Sequence, residues 1–148
     1  MKKILTLALI LFSVACASTS QIGTSDEKTR TFDAKYNKIF SILDEYITKR
    51  GFPIIKKDKE NGLIESRFKE GMGLVIPQFI GDRRGKIIAK ITKVTEEKTH
   101  VALNLITEMR DPTTGWNEIE TNFTQSKKFY DVFFEAVLAR VEGRSINF

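Results

Sequence analysis

The sequence predicts an α+β domain: an antiparallel β-sheet of about five strands packed against two amphipathic helices, set behind an N-terminal export segment. Three observations carry that expectation. Apolar residues recur at three- and four-residue steps in two separated stretches, the mark of helices with one buried stripe. Between those stretches they alternate at two-residue steps, as strands with one buried face do. The chain also opens on a lysine pair and a short apolar run. At 148 residues the length suits one domain.

The domain is expected over residues 29–148, and "KTRTF" at 28–32 supplies its first strand. A helix follows, with Tyr36, Ile39, Phe40, Leu43, Tyr46 and Ile47 on one stripe. Asp33 suits its N-cap, and Gly51 ends it after Lys49 and Arg50, whose charges favour a helix C-terminus. "GFPIIKKDKENGLIESRF" reads as a hairpin turning at Asn61-Gly62, with Pro53 at a strand start or edge. On its second strand Ile64, Ser66 and Phe68 share one face, while Glu65 and Arg67 take the other.

Lys86 to Val94 and Thr99 to Met109 make a second pair around "EEK" at 96–98. Val101, Leu103, Leu105 and Met109 face inward, with Asn104 and Glu108 opposite. Pro112 and Gly115 break the chain in "RDPTTGW", and "WNEIETNF" returns as a strand with Ile119, Thr121 and Phe123 inward. The closing helix carries Tyr130, Phe133, Phe134, Val137, Leu138 and Val141 on its stripe, between Ser126 as N-cap and Gly143.

The opening of the chain bears on location. Lys2 and Lys3 form a basic n-region, Ile4 to Phe12 an apolar h-region, and Ser13-Val14-Ala15 a run of small residues, the layout of a signal peptide over 1–15. The apolar stretch is shorter than the about 20 residues a spanning helix needs. "SVAC" at 13–16 resembles the lipobox of bacterial lipoproteins, with Ser13 where that family favours Leu. The resemblance implies cleavage before Cys16 and lipid on that residue, hence membrane attachment. Ala17, not Asp, follows the cysteine, which by analogy implies an outer-membrane address. Cleavage at Ala15-Cys16-Ala17 is the alternative and would release a soluble secreted protein. Residues 16–28 are then the lipidated cysteine and a polar tether, too poor in large apolar groups to order themselves.

The stretch "TFDAKYNKIFSILDEYITKRGFPIIKKDKENGLIESRF" is similar to the opening of small envelope lipoproteins with a BamC-like, helix-grip domain: an amphipathic helix, then "GF", a charged turn and a strand beginning "GLI". That resemblance implies a non-catalytic role at the outer membrane. It brings no site residues with it.

The residues themselves offer little chemistry. Cys16 is the only cysteine and His100 the only histidine, so no Cys- or His-based metal site is expected, nor any cofactor. His100 is expected to face away from the core beside a turn. HExxH, GxSxG and phosphate-binding glycine loops are absent. Glu96-Glu97 and Glu118/Glu120 read as turn and strand-surface charge, and no enzyme activity is expected. The net charge of +5 is mild, and export argues against nucleic acid as a partner.

One stretch stands apart. "GMGLVIPQFIGDRRG" at 71–85 places Ile76 and Phe79 among glycines beside Arg83 and Arg84. It reads either as one more buried strand broken by Pro77 or as an apolar lip for a protein or lipid, with the arginines serving an anionic group. The expected function is therefore an outer-membrane lipoprotein that binds envelope proteins or scaffolds an assembly. The alternative is a carrier holding an apolar ligand between helices and sheet.

Overall fold

The computed structural model describes residues 25–71, 82–119 and 123–144. Cys16 and the expected signal peptide lie outside these residues, as do Ile76 and Phe79.

The architecture is α+β. Seven antiparallel strands form one sheet: β1 (Thr29–Phe32), β2 (Ile54–Asp58), β3 (Leu63–Ser66), β4 (Lys69–Glu70), β5 (Arg83–Lys93), β6 (Thr99–Asp111) and β7 (Gly115–Glu118). The order β1-β6-β5-β3-β2 forms the main path, with β4 beside β5 and β7 beside β6. Two of the seven are short additions to the expected set of about five. The helices are α1 (Tyr36–Lys49) and α2 (Phe123–Val141).

Both helices pack on one face of the sheet. In register, Ile87 stands opposite Leu105, Ala89 opposite Leu103, and Ile91 opposite Val101, so these pairs share the inner face. Against them lie Ile39, Leu43 and Ile47 of α1 and Phe133, Phe134 and Val137 of α2, all nearly inaccessible. Removing each such side chain from water contributes about 1.5–3 kcal/mol. Tyr46 and Phe133 join the helices edge to face, ring centroids 4.8 Å apart. Among the described residues no helix is long and apolar enough to cross a membrane.

Several boundaries differ from expectation for identifiable reasons. Helix α1 starts at Tyr36 with Lys35 as N-cap, and Asp33 instead reaches Lys98 at 3.6 Å. Residues 26–28, expected in the tether, form a 3-10 turn before β1. Strand β3 ends at Ser66, whose hydroxyl accepts the N–H of Ile87. Alternation stops there, and Phe68 sits against Arg84 and Lys86 of the outer face rather than beside Ile64. Strand β7 ends at Glu118, and Phe123 already belongs to α2, so Ser126 lies inside the helix and not at its cap.

The β2–β3 turn is held closely. Asp58 accepts both the backbone N–H and the side-chain amide of Asn61, at 3.0 and 2.9 Å. Gly62 follows at φ +63°, and its carbonyl receives the N–H of Ile91 at 2.7 Å.

On the other side of β6, strands β1 and β7 pair with its two ends, Thr99 to Ala102 and Glu108 to Asp111. In the gap between them Leu105 donates its N–H to the phenol oxygen of Tyr130 at 3.2 Å. Helix α2 thus completes the hydrogen bonding of a strand that two short neighbours leave partly uncovered.

Candidate functional site

The outer face of the sheet follows from the same register. Arg84 stands opposite Glu108, Lys86 opposite Ile106, and Ile88 opposite Asn104, one residue out of step with the core pairs. Among the described residues no helix covers this face.

Its centre is a four-residue cluster. Arg84 directs Nε and Nη2 at Oε2 of Glu108, each at 2.6 Å. The guanidinium carbon lies 4.5 Å from the ring centroid of Phe68 and 4.3 Å from that of Trp116. Phe68 approaches from the β3–β4 side and Trp116 from β7, so the planar cation is flanked by rings from both directions. A guanidinium is suited to this, since its faces stack while its edge forms hydrogen bonds. Beside it Lys86 contacts Oε1 of Glu65 at 3.2 Å and overlies Phe68 at 5.4 Å. Arg84 and Glu108 retain 25% and 18% of their side-chain exposure, so the pair is only partly screened by water.

The two arginines singled out in the sequence thus separate. Both belong to β5 rather than to a loop: Arg83 takes the inner side, opposite Met109, and Arg84 the outer. The charge of Arg84 is met by Glu108, so the cluster offers aromatic surface more than free positive charge.

Other sequence candidates are scattered. His100 is on the outer face, opposite Thr92 of β5, its Nδ1 3.0 Å from the Thr31 hydroxyl. Glu96 bonds Lys93 at 2.5 Å, and Glu97 pairs with Lys35 at 3.2 Å. Glu118 stands opposite Glu108 in β7, while Glu120 lies outside the described residues. Among the described residues no group of three His, Cys, Asp or Glu side chains could hold a metal ion.

Sequence reasoning named Arg84 but missed Phe68, Glu108 and Trp116, because they are distant from it in the chain. The one available signal was the placement of Glu108 and Glu65 on the side opposite the apolar residues.

No protein-family model matches the chain, and no curated protein matches it. Among solved structures it is similar to a DUF4468 family protein from Bacteroides ovatus, with 12% identity and a TM-score of 0.45, over 78% of this chain and 87% of that one.

Proposed function

We propose that this protein is a non-enzymatic lipoprotein of the bacterial outer membrane, anchored through lipid on Cys16, whose domain docks envelope proteins or scaffolds their assembly. The docking surface is the outer sheet face around the partly exposed Arg84. The supporting observation is the partly exposed Phe68–Arg84–Trp116 cluster on the face that no described helix covers. Tryptophan and arginine in a rigid, half-desolvated setting are the residue types that dominate protein interfaces. Because Glu108 already neutralises Arg84, the preferred partner is a flat, largely apolar protein surface.

Partner docking is favoured over an apolar carrier by the packing where the two helices meet. Tyr46 and Phe133 are almost wholly buried and touch each other, which leaves no ligand space between them.

The test is site-specific photo-crosslinking in intact cells from position 117, beside the cluster, with the products identified by mass spectrometry. A discrete envelope protein should be captured, and Trp116→Ala or Arg84→Ala should abolish capture while Lys127→Ala leaves it intact. Capture unaffected by all three would overturn the assignment of this face. The anchor has its own test: labelling with a palmitate analogue should be lost in Cys16→Ala.

A further inference from the structure

We infer that the cavity between the start of α1, the β2–β3 turn and the end of β5 binds a phosphate-bearing anion. It is an open surface depression of about 460 Å³, and three lysines line it against a single carboxylate: Lys59, Lys90 and Lys93 against Glu60. The proposal stands independently of partner docking on the outer face.

The lysines differ in how far they are committed. Lys93 pairs with Glu96 at 2.5 Å. Lys90 donates to the backbone carbonyl of Asn61 at 2.6 Å, a neutral acceptor that fixes the ammonium and leaves its charge uncompensated. Among the described residues the Lys59 side chain has no partner. Several ammonium donors around one depression suit a phosphate group presenting two or three acceptor oxygens, and charge-assisted hydrogen bonds are the strong ones.

Helix α1 begins at the depression. Tyr36, in the cavity wall, is its first residue. The first turn holds no acidic residue, and Lys35 makes no side-chain cap. The positive end of the helix is therefore uncompensated within its own turn. Of the nearby carboxylates, Asp33 is engaged by Lys98, Glu97 by Lys35 and Glu96 by Lys93, while Asp58 accepts from Asn61 and its negative charge reaches Tyr36.

The cavity is also preformed. The Tyr36 hydroxyl donates to the carbonyl of Lys59 at 2.5 Å, tying the turn to the helix, and the Gly62–Ile91 contact ties the same turn to β5. Little ordering remains to be done on binding. Asn61 and Thr92, also in the lining, supply neutral hydrogen-bonding groups for whatever carries the phosphate.

The phosphate could belong to a lipid headgroup or to a soluble ester, and the experiment separates the two. Full chain labelled with ¹⁵N, in neutral maltoside micelles, is titrated at constant ionic strength with inorganic phosphate and, separately, with phosphatidylglycerol doped into the micelles. Saturable amide shifts are expected at Tyr36, Asn61 and Ile91. Replacing Lys59 and Lys90 by Met should weaken binding about tenfold, while Lys127→Met, on α2, changes it less than about twofold. A response to both ligands at these amides assigns the site to a headgroup phosphate. A response to inorganic phosphate alone assigns it to a soluble ester. Equal losses in the two variants, shifts spread over the whole basic surface, or no saturation with either ligand would overturn the proposal. Circular dichroism of each variant separates lost binding from lost folding.

Discussion

Leu105 donates its backbone N–H to the phenol oxygen of Tyr130, 3.2 Å away across the gap between β1 and β7. Tyr130→Phe keeps the ring and its packing but leaves a buried donor unpaired, and should cost about 1–3 kcal/mol. Urea denaturation would measure the loss, and hydrogen exchange should quicken at the Leu105 amide.

The same tyrosine predicts an alkaline limit. Burial raises its pKa, and the charge of Glu27 adds to this, while the bond from Leu105 works in the opposite direction. The folded state therefore prefers the neutral phenol. Its stabilisation is complete below the unfolded value of about 10 and is lost as pH rises through the higher folded value. Thermal melts should show stability falling above about pH 10, with a shallower fall in Tyr130→Phe.

At the acid end the relevant groups are Asp58 and Asp111. Hydrogen bonds from the side chain and backbone of Asn61 lower the pKa of Asp58, and the backbone N–H groups of Thr114 and Thr113 lower that of Asp111. For a depressed carboxylate the contribution exists above the unfolded value of about 3.9 and disappears as pH falls through the folded one. Melts across that range should show a weaker pH dependence in Asp58→Asn with Asp111→Asn than in the parent chain.

The Arg84–Glu108 pair should behave unlike the surface ion pairs. A double-mutant cycle with alanine at both positions should give a coupling of about 1–2 kcal/mol. The i,i+4 pair Lys127–Asp131, about half exposed on both sides, should give no more than about 0.5 kcal/mol. Denaturant titrations of the two cycles at low and moderate salt would compare them, and only the second should fade with salt.

Two glycines with similar backbone angles should differ in tolerance. At Gly71, φ +64°, an added Cβ meets nothing within 4 Å among the described residues, so Gly71→Ala should cost the left-handed penalty of about 1–2 kcal/mol. At Gly62, φ +63°, the same atom would fall 2.0 Å from the Ile91 carbonyl oxygen. Gly62→Ala must displace β5 or open the turn, so its loss in chemical denaturation should be clearly larger.

Local periodicity made the helices and long strands legible, because a stripe or an alternation is written into neighbouring residues. The α1 stripe from Ile39 to Ile47 and the inward set Val101, Leu103 and Leu105 are buried as expected. Helix starts were less legible. Asp33 and Ser126 have the chemistry of caps, but Asp33 lies three residues before Tyr36 and pairs with Lys98, while α2 begins one turn before Ser126. Phe68 departs from the face expected of it because alternation carries information only while the strand continues, and β3 stops two residues earlier. The Arg84 cluster and the lysine-lined cavity depend on register between strands far apart in sequence. No local pattern encodes them.

The strand order has a further consequence for how the molecule comes into being. Thr31 and His100 meet across β1 and β6, 69 positions apart. A chain made from its N-terminus therefore presents β1 long before β6 exists, and α1 before the β5 and α2 on which it packs. At about 5–20 residues per second that wait is on the order of ten seconds. Throughout it the apolar stripe of α1 must be shielded by other means, so this end of the nascent polypeptide is where a holding chaperone would act.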